Sequence, residues 1–257
     1  MSKDSNRQLA NELSVVLAIV VNILANTLPF NGQSTGEISD RFQVYFVPAG
    51  YVFAIWGVIY IGWITFTIHQ YQPAQKESPR LRKLGYTFAL SGLFNAAWLF
   101  CWHYNLFGLS VLVMLTLLGL LIASYLKLNV GRTPVGSTEK WSVDIPFSVY
   151  LGWITVAAIA NITDYLYLIN WNGFGIAPQV WAVIMLIAAS LIALVITITR
   201  RDSGFAFVLA WAFIGIAVKQ ASTPLVAGSA WVSAFFALAL AIYSIIQRRR
   251  STSERSA

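Results

Sequence analysis

Pro48-Ala49-Gly50-Tyr51-Val52-Phe53-Ala54-Ile55-Trp56-Gly57-Val58-Ile59-Tyr60 is an uncharged run that opens on proline and places Phe53, Trp56 and Tyr60 at i, i+3 and i+7. Proline suits the first turn of a helix, where its missing N–H would have no partner. The ring spacing gathers three large side chains on one helical face. Two later apolar segments carry comparable stripes: Asn95, Trp98 and Trp102 in one, and Tyr150, Trp153, Ala157 and Asn161 in the other. A helix that meets only lipid needs no such stripe. The three faces are therefore expected to meet one another or a ligand.

Composition sets the class. Of 257 residues, 58% are hydrophobic and 11% are charged, and the mean hydropathy is +0.67. A soluble domain carries roughly 25% charged residues. The charges lie between long apolar runs, which reads as an all-α, polytopic membrane helix bundle. A net charge of +7 does not point to nucleic acid, because the basic residues sit in short loops and at the C-terminus. One cysteine, Cys101, allows no intrachain disulfide and no thiol metal site. His69 and His103 fall near the ends of successive spans, so they are expected at opposite faces of the membrane, too far apart to share a metal.

Eight transmembrane helices are expected, near 12–28, 49–68, 84–103, 106–127, 145–165, 178–199, 204–221 and 226–246. The first is not read as a cleaved signal peptide, because Asp4 and Glu12 dilute its basic flank and no A-x-A site follows. Fifteen of the seventeen Lys and Arg residues then fall on one side: Lys3, Arg7, Lys76, Arg80, Arg82, Lys83, Lys127, Arg132, Lys140, Arg200, Arg201, Arg248, Arg249, Arg250 and Arg255. Basic loops stay inside, which predicts a multi-pass protein of the cell membrane with both termini cytoplasmic. The long first external loop, about 29–48, reads as either a lid over an external pocket or a solvated connector.

Polar groups within the spans need partners, since hydrocarbon offers none. Asn95 and Asn161 read as interhelical links, as polar contacts of a pocket, or as both. Lys219 lies within the seventh span. It is expected either to snorkel outward or to form a buried ion pair with Asp164, near the external end of the fifth span. Asp144, just before Pro146, reads as an N-cap. No phosphate loop, HExxH pair, acid dyad or nucleophile elbow is present, and the Cys101–His103 spacing turns those side chains to different helix faces. No catalytic residue, no metal and no required cofactor are expected, and the chain does not read as an enzyme.

The three stripes resemble motifs of the translocator protein family, also called tryptophan-rich sensory protein or TspO/MBR. Its second span has the form P-x-x-x-x-F-x-x-W-x-x-x-Y, matched by Pro48, Phe53, Trp56 and Tyr60. Its third span carries N-x-x-W, matched by Asn95 and Trp98, and its fifth is matched by Pro146, Trp153, Ala157 and Asn161, with Phe147 and Tyr150 nearby. The resemblance covers about residues 12–170. It implies a five-helix core at 1–170 with a pocket capped by the first loop; the three spans at 171–247 and the basic tail at 248–257 are additional to that pattern. It also implies an association with porphyrins, sterols or synthetic aromatic ligands. The sterol-recognition pattern is missing, because no Lys or Arg follows Tyr167 closely.

The leading expectation is a membrane receptor or sensor that binds a flat hydrophobic ligand, tetrapyrrole- or haem-like. Its site would comprise Pro48, Phe53, Trp56, Tyr60, Asn95, Trp98, Trp102, Tyr150, Trp153, Ala157 and Asn161. A transporter of hydrophobic small molecules and, further off, a tetrapyrrole-degrading enzyme are the alternatives. The expected partners are the bilayer and the small ligand, and the later spans could supply a homodimer face.

Overall fold

A computed structural model describes residues 3–28 and 30–256, with side chains described as far as Arg248. The tail residues Arg249, Arg250 and Arg255 of the basic count therefore lie outside the described side chains. The described residues contain helices and no strand. The long rods are α1 (Lys3–Thr27), α3 (Ile55–Gln70), α4 (Thr87–His103), α5 (Phe107–Lys127), α6 (Ile145–Leu168), α7 (Pro178–Arg200), α8 (Ser203–Lys219) and α9 (Pro224–Ser256). A short helix, α2 (Thr35–Asp40), sits in the first loop. A 3-10 turn, Gly50–Ala54, leads into α3.

Six of these helices are long and apolar enough to cross a membrane. The two others, α4 and α8, have 17 residues each. That is about 25 Å of helix, at the lower bound for spanning the hydrocarbon core. The protein is a polytopic membrane helix bundle.

α1 packs on α4 and α3, α4 on α5, α5 on α6, and α6 on α3. α8 packs on α6 and carries α9, which in turn packs on α7. Close approach of α1 and α4 depends on Gly92. A Cβ there would lie 2.0 Å from Ser14 Oγ, and that hydroxyl instead donates to the Ala89 carbonyl at 2.6 Å. Interfaces of small residues let membrane helices meet backbone to backbone. α8 uses the same device toward the aromatic stretch. A Cβ on Gly215 would meet Val52 Cγ2 at 2.2 Å, and the Gly215 carbonyl accepts from Ala49 N–H at 3.1 Å.

The basic loops converge on one end of the bundle. Arg82 pairs with Asp4 at 2.6 Å. Arg132 donates to the Thr199 carbonyl, Arg200 to that of Val130, and Arg248 to that of Arg201. Arg80 pairs with Glu139 at 2.7 Å and with Asp144. This last contact corrects the reading of Asp144 as an N-cap. Helix begins upstream at Ser137 and runs through a π-turn, Lys140–Asp144, into α6. No helix N-terminus is left at 144 to cap, and the buried carboxylate takes the guanidinium instead.

Candidate functional site

At the opposite end, the three aromatic faces meet. α3 contributes Phe53, from its leading turn, with Trp56 and Tyr60. α4 contributes Trp98 and Trp102, and α6 contributes Trp153. Trp56 stacks on Tyr60 with centroids 5.9 Å apart and meets Trp153 edge-on at 6.4 Å. Phe53 meets the same Trp153 at 5.7 Å. Trp98 stacks on Trp102 at 5.6 Å. Such offset and edge-to-face pairs are the favoured geometries of ring quadrupoles. They hold each ring at a set angle without help from a guest.

Between these rings and α1 lies a cavity of about 430 Å³. Its walls include Phe53, Trp56, Tyr60 and Trp98, with the polar groups of Asn22, Asn26 and Ser34. A second, narrow space of about 40 Å³ lies on the far side of the same rings and shares part of that wall. Thr35, Phe53, Trp56 and Trp98 line both spaces. Pro48, Trp102, Trp153, Ala157, Asn161 and Asp164 line the inner one.

The first loop roofs this site. α2 starts with a reciprocal capping box: Glu37 N–H donates to Ser34 Oγ at 3.3 Å, and Ser34 N–H donates to Glu37 Oε2 at 2.7 Å. That fixes the helix at its first turn. Trp102 Nε1 donates to the Thr35 carbonyl at 3.2 Å, Thr35 Oγ1 lies 3.0 Å from His103 Nε2, and Ile38 is fully buried. Of the two readings of the loop, the ordered cover is the one its contacts describe. Thr35 on its underside forms part of the cavity wall.

The expected site residues divide. Pro48, Phe53, Trp56, Tyr60, Trp98, Trp102, Trp153, Ala157 and Asn161 line one or both of the adjoining spaces. Asn95 and Tyr150 lie behind the wall. Asn95 Oδ1 accepts from Asn22 Nδ2 at 2.8 Å, tying α4 to α1. The Tyr150 ring packs against Trp63 with centroids 4.9 Å apart. Asn161 serves as both link and lining. Its Oδ1 accepts from Trp98 Nε1 at 3.1 Å, and its Nδ2 donates to Ser110 Oγ at 3.0 Å.

The expected Asp164–Lys219 pair does not form. Lys219 Nζ lies 2.7 Å from Asp40 Oδ1, at the end of the lid helix. Lys219 is the last residue of α8, and its ammonium can reach a carboxylate that stays 61% exposed. Pairing there strips little water from either charge, whereas the buried Asp164 would require the ammonium to leave water altogether. Asn22 and Asn26, in the first span and not among the expected site residues, enter the wall as well. Their four-residue spacing on one face of α1 is the signal that could have found them.

The family model for TSPO-like protein matches residues 8–243. The chain belongs to the TSPO-like protein family. The match runs through α7 and α8 and most of α9, as well as through the five preceding rods. No curated protein and no solved structure gives a match.

Proposed function

We propose that this TSPO-like protein is a membrane receptor or sensor that holds a flat hydrophobic ligand between α1, α3 and α4, beneath the lid helix. The observation that carries this reading is the cavity of about 430 Å³ walled by Phe53, Trp56, Tyr60 and Trp98. Small-molecule sites fall at about 300–1,000 Å³, with apolar walls and a few polar groups for orientation. Indole and phenol faces suit stacking on a planar guest, and the amides of Asn22 and Asn26 can each donate and accept at its edge. A tetrapyrrole-like body is the class of guest that family resemblance favours. On this reading the protein acts by binding its guest. With basic loops cytoplasmic, the mouth beneath the lid faces the external side.

The test is quenching of tryptophan fluorescence by a porphyrin, with the protein in nanodiscs. Saturable quenching is expected, and Trp98→Ala and Trp153→Ala should weaken it. Unchanged affinity in both variants would remove the site.

A further inference from the structure

The inner recess ends on a carboxyl group that has no ion-pair partner among the described residues. Asp164 is 2% exposed, it lines the recess, and its Oδ1 is buried with no hydrogen-bond partner. The cations at this end are engaged elsewhere. Lys219 is held by Asp40. Arg41 donates to Asn105 and lies over the Phe107 ring, 5.5 Å from its centroid. Trp102 and Trp153 line the recess as well. A carboxylate far from water needs a positive partner or several donors, and aromatic faces attract the same sign of charge.

We infer that the ligand of this pocket is cationic: a flat aromatic body in the outer cavity, with a short ammonium or other protonated-nitrogen arm reaching Asp164 through the inner recess. The inference rests on the aromatic-pocket reading and adds the charge and shape of the guest. The volumes separate the two parts. The inner space of about 40 Å³ admits a small polar head and no ring, while the outer space of about 430 Å³ holds the body. The arm would donate to Asp164 Oδ1 and lie near the indole faces. An anionic arm, such as a carboxylate, would lose its water at the same point and find no cation, so the rings accept a planar guest and Asp164 selects its head.

The experiment uses three probes with one ring system and one-carbon arms: 9-(aminomethyl)anthracene, 9-anthracenemethanol and anthracene-9-carboxylate. Each is titrated against the full chain in phosphatidylcholine nanodiscs, with empty nanodiscs correcting for partition, and tryptophan quenching is read. The wild type is expected to bind the amine about tenfold or more tightly than the alcohol, as a charge-assisted hydrogen bond with cation–π support allows. The carboxylate should bind more weakly than the alcohol. Asp164→Asn should erase the amine's advantage while leaving the alcohol's affinity in place, and that retained affinity reports a folded pocket. Asp164→Glu should keep part of the advantage.

An amine preference that survives Asp164→Asn overturns the inference. So does an alcohol that binds, weakens in Trp98→Ala, and is matched by the amine in the wild type; the pocket reading then stands and the charge assignment alone falls. If none of the three probes quenches while a porphyrin still does, the charge assignment falls and the pocket reading stands; if the porphyrin fails as well, both fall.

Discussion

Trp98 donates its indole N–H to Asn161 Oδ1 across the α4–α6 interface, at 3.1 Å, beside the inner recess. One side chain thus supplies a wall of the cavity and a tie between helices. The two roles separate in substitution. Trp98→Phe keeps a flat wall and leaves Asn161 bonded to Ser110, so it is expected to cost at most about 1 kcal/mol in thermal unfolding and to preserve porphyrin quenching. Trp98→Ala removes the wall and should weaken the ligand strongly. Melting and titration of the two variants side by side check this.

Gly215 makes a sharper case for packing. A methyl group there must displace Val52, whose Cγ2 would be 2.2 Å away. Gly215→Ala is expected to destabilise by about 1–3 kcal/mol, the cost of overpacking a tight interface. Gly228→Ala, where a Cβ meets nothing within 4 Å, serves as the control and should leave the melting temperature unchanged or raised.

Arg80 sits at the basic end with a side chain 12% exposed, held by Glu139 and by the buried Asp144. Removing one partner of a buried ion pair strands the other charge, at a cost of about 3–5 kcal/mol. Arg80→Met should show a loss of that order in chemical unfolding. Lys219→Gln, which breaks the exposed Asp40 contact, should lose less than about 1 kcal/mol, and added salt should shrink the difference.

The lid responds to acid. Glu37 is held below the ordinary carboxylate range by the Ser34 backbone N–H first and the Ser34 hydroxyl second. A group whose folded pKa is depressed contributes stability that is present above its unfolded value and lost as pH falls through the folded one. The α2 amides should therefore keep their hydrogen-exchange protection, corrected for intrinsic rates, down to about pH 5 and lose part of it below about pH 4. In Ser34→Ala that acid step should shrink.

Much of this architecture was legible because hydrocarbon leaves few options. Long uncharged runs must be helices, and the Arg and Lys residues between them converge on one end. The aromatic stripes were legible for a similar reason: a period near 3.6 puts Phe53, Trp56 and Tyr60 on one face whatever they touch. Partners across helices were not legible. Asn95 meets Asn22 and Asn161 meets Trp98 because of the rotation of each rod about its axis, which composition does not encode. For Lys219 the outward reading matches the structure and the pair with Asp164 does not; its partner, Asp40 in the first loop, was not legible because it lies 179 residues away. The π-turn before α6 hid the true partner of Asp144, since a Pro two residues later looks like a helix start.

The backbone bond from Ala49 to Gly215 has a bearing on the chain as a whole. The turn that feeds Phe53 and Trp56 into place leans on α8, a rod more than 150 residues further along. The C-terminal third is a buttress for the aromatic end: shortening the protein after the fifth rod would leave the aromatic turn propped on one side only, and the cavity would lose its shape before it lost any of its rings.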